Sequence, residues 1–227
     1  MLLAIDTSTQ MIGLALYDGA RVLCETTWQS RSHHTVEMPP AVQELLERYG
    51  ARPSDLEAMG VALGPGSFTC LRIGLALVKG MALALKIPVI GVPTLDILAA
   101  GIPCGGQWGA MPLAAVLQAG RGRLALVWYR AQDGAWQPQS QPEMVTAEEL
   151  SQKITKPTLV AGELNAAERQ LLARKRKNVT LLSPAHSLRR PACLAEIAWN
   201  RWKEGRVDEV VSLAPIYLHV AEAIPGS

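Results

Sequence analysis

An acidic residue followed by three hydroxyl residues is the first feature of the chain that could perform chemistry. Asp6 ends a short apolar stretch, and Thr7, Ser8 and Thr9 follow it directly. A carboxylate beside hydroxyl groups can hold a hydrated Mg²⁺ ion or orient a phosphate. The same residue types also satisfy backbone N–H groups in many turns. Both interpretations of residues 6–9 stay open from these residues alone.

A glycine-rich junction between a predicted strand and a predicted helix is the second candidate. Gly64 and Gly66 allow a positive φ or a close approach by another molecule, and Ser67 can cap the helix that follows. A helix N-terminus with free N–H groups attracts anions. The junction is therefore either an anion cradle or a simple strand-to-helix connection.

The histidines and cysteines form no recognisable catalytic or metal-binding motif. No pair of histidines has His-x-x-x-His spacing, and no serine lies in a Gly-x-Ser-x-Gly elbow. We therefore predict no catalytic residues and no metal site. His33 and His34 are expected at the surface or at a helix cap, with a pH-sensitive contact as the alternative. The cysteines are expected to be buried free thiols, and they are listed here: Cys24, Cys70, Cys104 and Cys193.

Composition and charge exclude several classes of protein. The chain has 227 residues, of which 49% are hydrophobic and 19% charged, as is typical of a folded globular protein. A net charge of +2 gives no global field for nucleic acid or membrane binding. The longest apolar stretch, residues 73–87, contains Lys79 and Lys86 and is predicted not to span a membrane. We expect a cytoplasmic protein without a signal peptide.

Hydrophobic spacing in the first half predicts three strands followed by alternating helices and strands. Alternation marks the first strands, and Asp18-Gly19 predicts a hairpin turn. Apolar residues at helical spacing follow Pro39 and Pro40, which suit a first helical turn. The predicted ranges are strands 2–6, 11–17 and 22–26, a helix around 38–49, strand 59–63, helix 67–86 and strand 88–92.

The second half repeats this order. Strands are predicted at 113–117 and 124–130, a weaker one before Thr146, a helix from the capping box of Thr146 and Glu149, and further elements up to a helix at 191–203. The duplicated βββαβα order predicts an α/β protein of the two-lobed actin-like ATPase class, the ASKHA or ribonuclease H-like fold. We expect lobes at 1–101 and 102–227, with the last helix free to pack back on the first lobe.

In this fold class a nucleotide usually lies between the lobes, with acids from both halves near its metal. The second-lobe turn, residues 118–122, contains no carboxylate. A metal–phosphate clamp would lack half of its ligands, so ATP hydrolysis by this chain alone is disfavoured. We expect at most a vestigial nucleotide site formed by residues of both candidate segments: Asp6, Thr7, Ser8, Thr9, Gly64, Gly66 and Ser67. A nucleotide-dependent ATPase or kinase of this fold remains the alternative.

A basic run lies near the end of a predicted helix. Residues 174–177 read Arg-Lys-Arg-Lys, and Arg189 and Arg190 follow nearby. The helix dipole favours cations at a helix C-terminus, so a solvated helix end is the simplest interpretation. Contact with a phosphate backbone is the alternative.

Several short segments together resemble one protein family, TsaB, also called YeaZ. They cover the first hundred residues densely and the remainder sparsely, and they are Ile5-Asp6-Thr7-Ser8-Thr9, Leu63-Gly64-Pro65-Gly66-Ser67-Phe68-Thr69, Leu71-Arg72-Ile73-Gly74, Lys79-Gly80-Met81-Ala82-Leu83, Ile90-Gly91-Val92 and Pro215-Ile216-Tyr217-Leu218. The chain departs from the family where Cys70 replaces the usual Gly, and where residues 118–121 replace an Asp-Ala-Arg-Arg segment.

The resemblance implies a pseudo-enzyme that acts through partners. Proteins of this family form a heterodimer with TsaD, which transfers a threonylcarbamoyl group to N6 of adenosine 37 in tRNAs reading codons that begin with A. The ATPase TsaE joins them, tRNA is engaged through the complex, and nucleotide is bound mainly by the partners. TsaD carries histidines where this chain has Thr94 and Leu98, so its metal site is not expected here. A homodimer of the isolated chain stays open.

The predicted helix at 67–86 is apolar nearly all round, so one face of a single domain cannot cover it. With the helix around 38–49, it could supply half of an intermolecular four-helix bundle. Burial wholly inside this chain is the alternative. The family uses these two helices in its contacts, and the expected partner interface comprises Met38, Val42, Leu45, Leu46, Phe68, Arg72, Leu75 and Lys79.

Overall fold

The first half of the chain forms a five-stranded sheet with helices packed against it. The computed structural model describes residues 1–31, 33–175 and 177–218. In chain order the first elements are β1 (Leu2–Asp6), β2 (Met11–Tyr17), β3 (Val22–Gln29), α1 (His34–Tyr49), β4 (Ala58–Gly64), α2 (Phe68–Leu85), β5 (Val89–Pro93) and α3 (Thr94–Ala100). The strand order is β3-β2-β1-β4-β5, in which β1, β4 and β5 are parallel and β2 and β3 antiparallel to their neighbours.

The second half repeats this arrangement. Its elements are α4 (Gly106–Gly109), β6 (Leu113–Gln118), β7 (Leu124–Gln132), β8 (Ala135–Pro138), β9 (Glu143–Val145), α5 (Ala147–Lys153), β10 (Thr158–Gly162), α6 (Ala166–Ala173), β11 (Val179–Leu181) and α7 (Pro191–Lys203). The strand order β11-β10-β6-β7-β8 matches the order of the first sheet read from its other end. The predicted two-lobed α/β fold with a duplicated element order is confirmed.

The weak third strand of the second lobe is divided into β8 and β9, which both pair with β7. Pro138 ends β8, and Pro142 precedes β9. A proline has no N–H to donate to a strand ladder, so the pairing is interrupted between these positions. The interruption explains why the sequence pattern there was weak.

The last helix, α7, lies on the first sheet although it follows the second lobe in sequence. Its apolar side packs on the face of the sheet opposite α1 and α2, and the side chains that meet there include Leu2, Ala4, Ala58, Leu194, Ala195 and Ala198. Gly60 lies directly under Ala198, where a Cβ would come within 2.8 Å of the alanine methyl group. The loop that precedes α7 is thereby brought to the boundary between the lobes.

Helix α1 begins earlier than its prolines suggested. It starts at His34, so Pro39 and Pro40 lie inside it and not in its first turn. Each proline removes one helical hydrogen bond to the carbonyl four residues earlier, which belongs to Thr35 or Val36. Both of those residues are exposed, so water can satisfy their carbonyl groups. The helix therefore tolerates the two prolines.

Helix α2 is capped by Ser67, whose hydroxyl accepts the N–H of Cys70 at 3.5 Å. It is the one helix among the described residues whose length and composition would allow it to cross a membrane, with a mean hydropathy of 1.7 over 18 residues. One such helix is weak evidence for a membrane span, because core helices pass the same test. Leu75, Val78 and Ala82 of α2 face the first sheet.

Candidate functional site

A cleft of about 840 Å³ lies between the two lobes. It opens where β1 and β10 end, and its walls come from both halves of the chain. The lining residues are 9–11, 29, 34, 67, 69, 70 and 73 from the first lobe, and 118, 162–165, 169, 184 and 187–189 from the rest of the chain. The cleft is therefore where the fold class would place a ligand.

Arg189 fills the space beside Asp6. Its Nε donates to Asp6 Oδ2 at 2.9 Å, its Nη2 donates to Thr9 Oγ1 at 2.9 Å, and its Nη1 pairs with Glu163. The arginine side chain is only 2% exposed. Burial disfavours its charge, but the carboxylates of Asp6 and Glu163 outweigh this effect and raise the pKa of Arg189. The carboxylate proposed for a metal or phosphate is thus already neutralised by this chain.

Residues 6–9 form a tight turn whose polar groups bond to one another and to neighbouring elements. The N–H of Ser8 donates to Asp6 Oδ1 at 2.8 Å, and the hydroxyl of Thr7 donates to the carbonyl of Cys70 at 2.8 Å. The hydroxyl of Thr9 donates to Glu163 Oε1 at 2.8 Å. The bond from Ser8 to Asp6 is the turn-stabilising role that the sequence left open, and the other two bonds join the turn to α2 and to the second lobe.

The glycine-rich junction packs directly on this turn. Gly64 has a φ of +108°, a conformation that favours glycine, and its N–H donates to Thr94 Oγ1 at 2.9 Å. A Cβ on Gly66 would overlap the carbonyl oxygen of Ser8, which accepts the N–H of Ser67 at 2.7 Å. The structure therefore brings the two predicted segments together. Nucleotide binding by them stays a prediction.

Thr94 connects these segments to β5. Its hydroxyl lies 2.7 Å from Ser8 Oγ, and the residue is fully buried. Leu98 belongs to the core of the second lobe. Within residues 1–31, 33–175 and 177–218, no three His, Cys, Asp or Glu side chains are grouped so that they could hold a metal ion.

The most important residues of the cleft, Glu163 and Arg189, were not identified from the sequence. The sequence predicts Arg189 as part of a solvated basic surface, and this prediction is wrong, because the residue is buried in ion pairs with Asp6 and Glu163. The turn after β6, where the fold class predicts a second-lobe acid, has none, but Glu163 lies directly after β10. Its position directly after a fully buried strand, like that of Asp6 at the end of β1, was the available signal.

Two further predictions about single residues need correction. His34 is buried, and its Nε2 lies 3.0 Å from the carbonyl oxygen of Thr9, so it is neither a surface residue nor a cap. His33 is exposed at the N-cap position of α1. The cysteines are free thiols, but all of them are half-buried and not fully buried.

Most of the predicted partner interface is core of this chain. Met38, Val42, Leu45, Leu46 and Leu75 are all buried in the cluster formed by α1, α2 and the first sheet. Their spacing puts them on the helix faces that pack against this sheet, so they cannot contact a partner directly. The prediction is wrong for these residues.

Phe68, Arg72 and Lys79 are more accessible, and they contact a segment that we call the C-terminal strap, residues 206–218. The guanidinium of Arg72 lies 3.7 Å above the Phe68 ring, and its Nε donates to the hydroxyl of Tyr217 at 2.8 Å. The ammonium group of Lys79 donates to the carbonyl of Val211 at 2.9 Å. The strap therefore holds these side chains along one edge of α2.

The remaining outer face of α2 carries mostly small and apolar residues. We call this face the α2 stripe and define it by its exposed residues Thr69, Ala76, Gly80, Leu83 and Ala84. Leu83 is 62% exposed. A Cβ added at Gly80 would meet no atom of the described residues within 4 Å. The stripe is thus a shallow apolar surface that another helix could approach closely.

The basic run is dispersed in the structure. Helix α6 ends at Ala173, and Arg174 and Lys177 are exposed after it, whereas Lys175 donates to the carbonyl of Ser151. Arg176 lies outside the described residues, as does His219. Arg190 pairs with Glu25 on β3.

Comparisons with known proteins agree with this architecture along nearly the whole chain. The family model of TsaD, described as tRNA N6-adenosine threonylcarbamoyltransferase, matches residues 22–199. The tRNA threonylcarbamoyladenosine biosynthesis protein TsaB of Bacillus subtilis is 30% identical over 226 residues, which cover 98% of this chain and 95% of that protein.

The TsaB protein of Escherichia coli is also 30% identical over 226 residues, with 96% of this chain and 94% of that protein covered. The structure of YeaZ from Pseudomonas aeruginosa superimposes with a TM-score of 0.78 at 26% identity, over 96% of this chain and 99% of that one. The sequence segments quoted above, the duplicated sheets and these full-length matches lead to one assignment: the chain belongs to the TsaB (YeaZ) family.

Proposed function

We propose that this chain is a non-catalytic subunit in the biosynthesis of threonylcarbamoyladenosine in tRNA. In this proposal it forms a heterodimer with TsaD and supports the transfer of the threonylcarbamoyl group to N6 of adenosine 37 in tRNAs reading codons that begin with A. The observation that carries the proposal is the α2 stripe, an exposed apolar helix face. In the nearby cleft, the carboxylate of Asp6 is already paired with Arg189.

The α2 stripe has the properties of a docking surface. Contiguous exposed apolar residues on a globular protein mark sites of association, and burying a leucine such as Leu83 contributes about 1.5–3 kcal/mol. Ala76, Gly80 and Ala84 recur at four-residue spacing, so a partner helix can approach the α2 backbone closely. Leu83 beside Ala84 extends this surface towards the C-terminal end of α2.

A partner of the same fold suits this surface. The family model of TsaD matches residues 22–199 of this chain, a range that includes both α1 and α2. Two proteins that share this helix pair can pack their helices as a four-helix bundle. A second copy of this chain would present the same pair, so a homodimer of the isolated chain and the heterodimer would compete for one surface.

The ion-paired cleft supports a role without catalysis by this chain. Asp6 already has a cationic partner in Arg189, and an Mg²⁺ ion would have to displace a buried guanidinium. We therefore propose that this chain needs no cofactor and that nucleotide is bound in the assembled complex, mainly by TsaD and the ATPase TsaE. The tRNA would be engaged through the complex in the cytoplasm, without membrane contact.

The competing function, an ATPase or kinase, makes a different prediction. If residues 6–9 and 64–67 hold a catalytic nucleotide, the purified chain alone should hydrolyse ATP, and Asp6→Asn should abolish this activity. Our proposal predicts no turnover above that of the Asp6→Asn variant. Phosphate release from ATP and Mg²⁺ measures the difference, and turnover lost in Asp6→Asn would contradict our proposal.

Reconstituted tRNA modification tests the support function itself. TsaD, TsaE, the activated threonylcarbamoyl donor and an unmodified tRNA reading codons that begin with A are incubated with and without this chain. We expect the modified nucleoside, measured by mass spectrometry of digested tRNA, to accumulate only when the chain is present. Equal modification in its absence would refute the proposal.

A further inference from the structure

Strand β3 is the longest edge strand of the two sheets, with eight residues. The other edge of the first sheet, β5, is covered by the C-terminal strap, where Asp208 bridges to Val89. In the second sheet, β11 has three residues, and β8 has four and ends at Pro138. A long edge strand presents a row of unpaired N–H and C=O groups, which is a template for another strand. The β3 edge is therefore where a strand could be added.

The register of β2 and β3 shows which backbone groups of this edge are unpaired. The N–H of Ser30 donates to the carbonyl of Gln10 at 2.8 Å, in the register that continues through the two strands. Hydrogen-bonded and non-hydrogen-bonded pairs alternate in an antiparallel ladder, so the even-numbered residues of β3 bond to β2. Glu25 and Thr27 direct their N–H and C=O groups away from β2. No residue in the described part of the chain bonds to these groups.

A groove of about 430 Å³ lies between this edge and α1. Cys24, Thr26 and Trp28 line it from β3, and Ala41 and Leu45 line it from α1. Side chains alternate between the two faces of a strand. In a strand added to β3, every second side chain would therefore lie over the groove, where an apolar side chain would contact Ala41.

Glu37 gives the groove a negative charge at the end near Trp28. Its carboxylate accepts from the Trp28 indole at 2.7 Å and from the Ser30 hydroxyl at 3.0 Å, and these bonds lower the pKa of Glu37. Among the described residues no lysine or arginine forms an ion pair with Glu37, whereas the other two carboxylates of the groove are each paired with an arginine. A cationic side chain of a ligand would supply the partner that this carboxylate lacks.

The sequence of β3 argues against a second copy of this chain as the added strand. It reads Val-Leu-Cys-Glu-Thr-Thr-Trp-Gln and contains no lysine or arginine. Pairing two copies of β3 would leave Glu37 without a cation and would bring two Glu25 side chains to one edge, where like charges destabilise the pairing. A segment of another protein can supply the cation.

We propose that the β3 edge binds an extended peptide segment of another protein as a sixth strand of the first sheet. The segment pairs its backbone with Glu25 and Thr27. An apolar side chain of the segment lies over Ala41, and a basic side chain two residues away lies at Glu37. Glu37 and Ala41 are one helical turn apart, about 6 Å along α1, which matches the spacing of about 7 Å between alternate residues of a strand. This edge shares no residue with the α2 stripe, so the inference does not depend on the function proposed above.

Amide exchange followed by NMR tests whether the edge is free. In the chain alone, the N–H groups of Glu25 and Thr27 should exchange with D₂O at least about 10-fold faster than those of Thr26 and Trp28, which bond to β2. Equal protection at all four positions would show that the edge is already covered, and it would overturn the proposal.

The peptide acetyl-Thr-Lys-Thr-Leu-Thr-amide is the probe for binding. It is written for antiparallel pairing, which is the more stable direction and places its lysine beside Glu37. We expect saturable shifts of the β3 amide signals and exchange at least about 10-fold slower at Glu25 and Thr27 in the bound state. Shifts confined to other parts of the chain, or no binding at about 1 mM peptide, would contradict the proposal.

Thr27→Pro removes one outward N–H and leaves the bonds to β2 in place. Proline is tolerated on edge strands where the N–H faces solvent. A carbonyl of the peptide would lose its donor, so we expect binding at least about 10-fold weaker by NMR titration. Thr27→Ala keeps the N–H and, as the matched control, should bind like wild type. Equal affinity of a folded Thr27→Pro chain would refute the backbone pairing; if this variant fails to fold, the exchange measurements on wild type decide.

Glu37→Gln tests the basic side chain of the ligand. Glutamine keeps an acceptor for the Trp28 indole but removes the charge. We expect about 3-fold weaker binding of the lysine peptide, as for a partly exposed ion pair, and unchanged binding of a peptide with glutamine in place of lysine. An equal loss for both peptides, or no loss for the lysine peptide, would refute the assignment of Glu37.

A second copy of the chain is the alternative occupant of this edge. Sedimentation would then show a dimer that Thr27→Pro dissociates, and protection of Glu25 and Thr27 would rise with protein concentration in the absence of peptide. That result would overturn the assignment of the edge to another protein.

Discussion

At the scale of single residues, the cleft is organised around a buried guanidinium. Arg189 joins Asp6 and Thr9 of the first lobe to Glu163 of the second. A metal ion or a phosphate-bound cation would need the same carboxylates. A residue of this chain thus supplies the positive charge that a ligand would otherwise bring, and the lobes are held together without a ligand.

Removing this charge should destabilise the fold strongly. In Arg189→Met the buried carboxylate of Asp6 has no cationic partner. Removing one partner of a buried ion pair typically lowers the free energy of unfolding by about 3–5 kcal/mol. We expect a loss of this size in the free energy of unfolding, measured by urea denaturation.

The double variant Asp6→Asn/Arg189→Met is the control for this prediction. It removes both charges, so its loss should be clearly smaller than the sum of the two single losses. Strict additivity would show that Asp6 and Arg189 are not coupled.

The sequence predicted part of this network and missed the rest for a physical reason. Residues 6–9 and 64–67 lie at the ends of β1 and β4 in one sheet, and the sequence predicts both segments in one candidate nucleotide site. The Asp6–Arg189 pair spans 183 positions in sequence. It forms because α7 packs on the first sheet, as the sequence left open, but no local pattern predicts that Arg189 lies beside Asp6.

At the scale of secondary structure, α2 has two distinct faces. Leu75, Val78 and Ala82 pack on the first sheet, whereas the α2 stripe is exposed. The sequence predicted the helix, and it predicted that the apolar surface of this helix is buried on more than one side. It could not show which apolar residues point outward, because α2 is apolar nearly all round.

Two glycines on α2 should respond oppositely to the same substitution. A Cβ on Gly74 would overlap the side chain of Thr7, so Gly74→Ala should destabilise the chain by about 1–3 kcal/mol. Gly80 faces open space, so Gly80→Ala should stabilise it by roughly 0.5–1 kcal/mol through helix propensity. Thermal unfolding of the matched pair measures both effects, and a destabilised Gly80→Ala chain would show that this face is already covered.

At the scale of the whole molecule, the duplicated element order gives two lobes that differ in how their sheets are covered. The first sheet is covered on one face by α1 and α2 and on the other by α7, while the strap of residues 206–218 runs along the edge of α2. The cleft between the lobes is bridged by ion pairs. The outer face of α2, the α2 stripe, stays exposed in this arrangement.

Calorimetric measurement of binding to TsaD, with wild type and the Gly80→Glu variant compared, tests whether the α2 stripe is the docking surface. Glu at position 80 is accommodated in the free chain, where the site is open, but it would place a bulky charge against a partner helix. Gln152→Glu makes the same change in charge at an exposed position on α5. We predict that Gly80→Glu weakens binding at least about 30-fold, or ~2 kcal/mol, and that Gln152→Glu leaves it unchanged. Equal affinity of wild type and folded Gly80→Glu would contradict the α2 stripe as the docking surface.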